Sequence, residues 1–131
     1  MVKRINIASI PSNLRVVERM VDEISSEESL NQDIYGKVLI ATVEAVNNAI
    51  IHGNKSDPQK YVDVSFMKNE KHLEIIVEDE GEGFDYNNIP DPTAPENIEN
   101  IHGRGVFLIR KLSDAVYFTK QGKQIKMIFN I

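Results

Sequence analysis

Apolar and polar residues alternate over residues 2–9, with Ile5 and Ile7 on one side, so the chain opens as a strand that Pro11 ends. Ser12 stands where a helix cap is needed. Leu14, Val17, Met20 or Val21, and Ile24 then recur at helical spacing, while Glu18, Arg19, Asp22 and Glu23 take the other face. Polar Ser25–Glu28 closes this helix. A second begins near Ser29–Asn31 and runs to Gly53, a residue suited to the position just past a helix end. A period of two returns with Val62, Val64 and Phe66 in the 61–68 stretch and with Leu73, Ile75 and Val77 in 72–78. The short link Asn69–Lys71 makes these a hairpin. From residue 86 to 102 no regular pattern survives, and the segment holds Pro90, Pro92 and Pro95. Residues 106–112 read as a short helix. Strands over 115–120 and 123–131 follow, joined through Gly122, with Ile125, Met127, Phe129 and Ile131 alternating.

The order is therefore β-α-α-β-β-loop-α-β-β. Hairpin-linked strands rule out a fully parallel sheet, and two successive helices after one strand must cover a sheet face. We expect one α/β domain over residues 1–131, a mixed, mostly antiparallel sheet with helices packed on one face. At 131 residues the chain can bury one core but not two.

Charge narrows the function classes. A formal net charge of −5, with 15 lysines and arginines scattered along the chain, argues against a direct nucleic-acid binder, which needs a basic stripe to displace counterions. Without cysteine there is neither a disulfide framework nor a thiolate metal site. The apolar runs fall short of the ~20 residues of a membrane span, and no apolar signal core follows Met1-Val-Lys-Arg. The expectation is a cytoplasmic domain with no membrane contact.

Candidate chemistry begins on the second helix. From Val38 to Ile51 every residue is apolar except Thr42, Glu44, Asn47 and Asn48, so the helix should be buried over most of its circumference. At ~100° per residue Glu44, Asn47 and Asn48 share one arc, and Glu44 and Asn48 lie one turn apart. A carboxylate there has no lysine or arginine on the adjacent turns, and burial without a partner costs several kcal/mol. A structural Glu–Asn pair and a ligand site are, on this helix alone, equally good accounts. For a ligand, the residue types suit a divalent ion on the Asn48 oxygen and a base at Glu44. His52 is better read as a helix C-terminal or core histidine.

Two glycine pairs follow. Asp79-Glu80-Gly81-Glu82-Gly83 leaves a strand; its glycines permit close approach to a flat ligand, and Asp79 can accept from an exocyclic amine, although such a sequence is also an ordinary turn. Gly103-Arg104-Gly105 opens the next helix, where free N–H groups and the Arg104 charge favour an anion; a hinge with a surface arginine is the plainer account. Between the pairs lies a structureless stretch of ~17 residues, unusual in a small domain unless it acts as a lid.

In order, Glu44-Ala-Val-Asn-Asn48-Ala-Ile-Ile-His52-Gly-Asn54, Asp79-Glu-Gly81-Glu-Gly83-Phe84 and Gly103-Arg-Gly105-Val-Phe-Leu-Ile109 resemble the three boxes of the GHKL ATPase superfamily of gyrase, histidine kinases and mismatch-repair ATPases. The compact length and Pro90-Asp-Pro-Thr-Ala-Pro-Glu-Asn97 look most like the bacterial anti-sigma-factor serine/threonine kinases. The resemblance implies a two-layer α/β sandwich that holds Mg·ATP beneath a lid at about 86–105. It implies Glu44 as catalytic base, Asn48 as Mg²⁺ ligand, Asp79 as adenine acceptor, and Gly81, Gly83, Gly103 and Gly105 as pocket backbone; the charge of Arg104, between the last two glycines, would then lie beside the phosphates. It further implies phosphorylation of a serine or threonine on an anti-anti-sigma-type regulatory protein, a sigma factor as second partner, and a homodimer. The alternative is a non-catalytic, ATP-gated binding module.

Overall fold

The computed structural model describes residues 1–83 and 101–131. Strand β1 (Val2–Ala8) leads through a short 3₁₀ turn at Pro11–Asn13 into helix α1 (Leu14–Glu27). Ser12 does not cap it. Pro11, fixed near helical φ and lacking an N–H, starts the turn, and the Asn13 amide donates back to the Ala8 carbonyl at 2.9 Å. Helix α2 (Gln32–Asn48) is capped by Asn31, whose side chain accepts from Ile34 N–H at 2.9 Å. It continues as one π-helical turn over Ala49–Gly53, closed by the bond from Asn54 N–H to the Ala49 carbonyl.

Strands β2 (Tyr61–Lys68) and β3 (His72–Glu78) form the expected hairpin. Helix α3 (Ile101–Leu112), β4 (Ala115–Thr119) and β5 (Gln124–Asn130) complete the described chain. The five strands run in the order β1-β2-β3-β5-β4, and every pairing is antiparallel. This is the α/β sandwich expected, with the sheet antiparallel throughout the described residues. Helix α3 begins five residues earlier than its apolar spacing suggests, so residues 101–105 of the expected lid are helical. The rest of the expected lid, residues 86–100, lies outside the described residues, as does Phe84.

Alternation sets the layers. Ile7, Val62, Val64, Phe66, Leu73, Ile75, Val77, Ile125, Met127 and Phe129 share one sheet face and are buried. Against them pack Val17, Val21 and Ile24 of α1, Val38, Ala41, Ala45 and Val46 of α2, and Ile109 of α3. Each such buried side chain contributes roughly 1.5–3 kcal/mol, so a one-residue slip that turned a strand's apolar row to water would consume most of a domain's net stability. Register is thus fixed by the pattern.

Gln32–Gly53 forms one continuous 22-residue helix whose length and composition alone would suit a membrane span, as those of a core helix also can. Its Val38, Ala41, Ala45, Val46, Ala49 and Ile50 lie in the core between the flanking helices and the sheet. The same helix corrects one expectation. It is not buried around most of its circumference: Ile40 is 47% exposed, and Glu44, Asn47 and Asn48 are half-buried. Thr42, by contrast, is fully buried, and its hydroxyl has no hydrogen-bond partner among the described residues.

Candidate active site

A small cleft opens between α2, α3 and the ends of β3 and β5. Asn48 stands at one end and Asp79 at the other, with Val77, Ile109, Phe118 and Ile125 as apolar walls. Two polar termini on an apolar slot suit a flat ring with a charged tail.

At the first end, a methyl group built on Gly105 would lie 2.8 Å from the Asn48 amide nitrogen and 3.2 Å from a Glu44 carboxylate oxygen. The two side chains of α2 and the backbone of α3 therefore meet at one point, where a Cβ would have to displace the Asn48 amide tip. Among the described residues no protein group hydrogen-bonds the side chain of Glu44 or Asn48. Half-burial removes the large desolvation cost that the apolar sequence around Glu44 suggested; what singles out the pair is convergence, not burial. Gly103, Arg104 and Gly105 sit inside the first turns of α3 rather than ahead of it, which corrects their reading as a loop that opens the helix. Only the N–H groups of the cap and the first three residues of a helix lack intrahelical partners, so here Gly103 falls among them and Arg104 and Gly105 fall past them. Arg104 is exposed.

At the second end, Asp79 follows β3 directly. Its N–H donates to the Lys123 carbonyl at 2.9 Å, and its own carboxylate accepts from Gly81 N–H at 2.8 Å. Partial burial pushes the Asp79 carboxyl above the ordinary aspartate range, an effect opposed by the Gly81 bond and by the nearby Lys123 charge. Gly53, at the end of the π turn, and Gly81 interlock: a Cβ on Gly53 would overlap the Asp79 carboxylate, and one on Gly81 would overlap the Gly53 carbonyl. Gly83 adopts φ +86° and lies against the Gln121 carbonyl, so the acidic loop also abuts the β4–β5 turn. That turn runs through three consecutive left-handed residues, Lys120, Gln121 and Gly122, at φ 52°, 60° and 90°. His52, in the π turn, is held below its usual pKa by partial burial and is not among the cleft walls.

Of the candidate side chains, Asn48 and Asp79 line the cleft, Glu44 lies beside Asn48 against Gly105, and Arg104 is exposed. Sequence reading missed Phe118, Gly122 and Lys123, which enter the cleft from the far hairpin. Only Gly122 carried a signal, as a turn residue; an apolar residue and a lysine on a hairpin look like any others.

Comparison with known proteins agrees with this geometry. The histidine kinase-like ATPase domain family matches residues 7–129. Among curated relatives, serine-protein kinase RsbW of Oceanobacillus iheyensis is 27% identical over 117 residues, 85% of this chain and 74% of the relative. Serine-protein kinase RsbW of Bacillus licheniformis is 31% identical over 112 residues, 81% and 70% of the two chains. That of Staphylococcus epidermidis is 35% identical over 97 residues, 68% and 61% of the two. With a family match over nearly its whole length, the same sandwich and an apolar slot where the three boxes meet, this chain belongs to the histidine kinase-like ATPase domain family and is an ATP-binding domain.

Proposed function

We propose that this domain is an ATP-dependent protein serine/threonine kinase of the anti-sigma-factor type, working in the cytoplasm on a regulatory protein of the anti-anti-sigma class, with a sigma factor as its second partner. The observation that carries the proposal is the meeting of Glu44, Asn48 and Gly105 at one end of a cleft whose other end holds Asp79. The names of the relatives, serine-protein kinase, support the reaction class.

In this reading the base lies among the apolar walls and its exocyclic amine donates to Asp79. The phosphates extend toward Gly103, Arg104 and Gly105, where helix N–H groups and the arginine oppose their charge. Glu44 takes the proton from the partner's serine or threonine hydroxyl as that oxygen attacks the terminal phosphorus, and ADP departs. The Asn48 carboxamide oxygen is the residue suited to hold Mg²⁺. It is a hard, neutral donor, and among the described residues it has no protein partner and no three acidic or histidine side chains gather into a cage. Bound there, the ion would screen phosphate charge and leave room for water and phosphate oxygens. We include in the proposal a homodimer, which sedimentation of the purified chain tests.

The deciding experiment recovers partners from the native cell by nucleotide-dependent pull-down and follows labelled phosphate from ATP onto them. Phosphoserine or phosphothreonine on a recovered protein, lost with Glu44→Gln while ATP binding persists, is the expected result. A wild-type domain that binds ATP and partner yet never labels the partner is instead a nucleotide-gated binding module.

A further inference from the structure

Asn54 closes the first sequence box but has no part in the reaction above. Its side chain is 1% exposed and almost saturated with hydrogen bonds. The amide donates to the Ser9 hydroxyl at 2.7 Å and to the Tyr61 carbonyl at 3.0 Å, and its oxygen accepts from Glu80 N–H at 2.8 Å. Ser9, itself fully buried, donates its hydroxyl hydrogen bond to the Lys60 carbonyl at 2.9 Å. The Glu80 carboxylate accepts from Tyr61 N–H, so the loop is braced a second time against β2.

The position of these bonds matters more than their number. The Glu80 N–H belongs to the peptide plane that also contains the Asp79 carbonyl and Cα. On the other flank, Asp79 N–H is held by the Lys123 carbonyl. Asp79 is thus clamped through the backbone on both sides, by Lys123 just ahead of β5 before it and by Asn54 after it, while the interlock of Gly53 and Gly81 fixes its distance from the π turn. A buried amide is costly unless satisfied, and an apolar residue would fill the same space without aiming anything.

We propose that Asn54, oriented by Ser9, is a positioning residue that aims the Asp79 carboxylate at the exocyclic amine of the base. The inference rests on the reading of Asp79 as the amine acceptor, and the test separates the two. ATP and purine riboside triphosphate, which lacks only the 6-amine, are titrated by calorimetry into the intact chain and its variants. Wild type should prefer ATP by roughly tenfold, the worth of one hydrogen bond to a charged acceptor. Asn54→Ala should cut that preference to less than threefold, and adding Asp79→Ala to it should cut no further, the signature of coupled residues. Should Asn54→Ala fail to fold, as judged by circular dichroism, Ser9→Ala serves instead: it removes one orienting acceptor and should halve the preference or more. If the tested variant weakens both nucleotides equally and keeps the full preference, Asn54 only supports the fold and the inference is overturned. If wild type itself shows no preference, the reading of Asp79 falls, and the inference with it.

Discussion

The two ends of the cleft are built on opposite plans. Around Asp79 the protein satisfies its own groups: Lys123, Gly81, Asn54 and Glu80 all join a hydrogen-bond lattice that exists before any ligand. Around Asn48 and Glu44 it satisfies nothing among the described residues, and two polar side chains simply face the backbone of Gly105. A site that recognises a rigid ring gains by being preformed, whereas a site for a reacting, highly charged tail must leave its donors for the ligand. The difference teaches where the domain invests its rigidity: in the base end.

Substitutions can break or sharpen that contrast. The largest effect belongs to the open end: Glu44→Gln should slow phosphate transfer to the partner by about 10²–10⁴-fold, the range of a lost general base, with little change in ATP affinity by calorimetry. Next, Asp79→Ala should weaken ATP about ten- to a hundredfold, measured the same way, because the lattice loses its only group aimed at the ligand. Gly81→Ala drives a methyl group into the Gly53 carbonyl, backbone against backbone, and should destabilise the domain by roughly 1–3 kcal/mol in urea titration. The corresponding Gly105→Ala meets only side-chain ends, so denaturant should report a smaller loss while nucleotide affinity falls.

The smallest effect is with pH. The Asp79 carboxyl is raised in the fold by burial, so the ionised form that accepts from an amine is lost on acidification sooner than for an ordinary aspartate. ATP affinity should therefore decline as pH falls toward that raised value, and Asp79→Asn should flatten the decline. For the nucleotide-free fold the sign reverses. A raised folded pKa contributes stability that is present below the unfolded value and lost as pH rises through the folded one, so Asp79→Asn should raise the melting temperature at neutral pH, as scanning calorimetry would show.

The contrast also explains what could be read from the chain alone. Strands were legible because Val62, Val64, Phe66 and Leu73, Ile75, Val77 must all face one core, and period two has no other cheap solution. Glu44, Asn48 and Asp79 were legible because each breaks a local pattern. The start of α3 was not: Gly103 and Gly105 lower helix propensity, and close contact with α2 outweighs that penalty only once the fold exists. Nor was the lattice around Asp79. Ser9, Asn54, Tyr61 and Lys123 are far apart in the chain and ordinary in type, and only the antiparallel register gathers them. The exposure of Glu44 was misjudged because its apolar neighbours Ile40 and Val43 looked like core residues, although Ile40 is exposed and Val43 only half-buried.

The π turn at Ala49–Gly53 takes up slack. It carries one residue more than an α-helical path of the same height. Deleting one residue there would restore ordinary winding over nearly the same height and heading, so Asn54 should still reach Glu80 while Glu44 and Asn48 stay where they are. Natural variants of this domain should therefore tolerate loss of one residue from that turn more readily than from the α-helical turns before it, provided Gly53, which has no room for a Cβ beside Asp79, is kept.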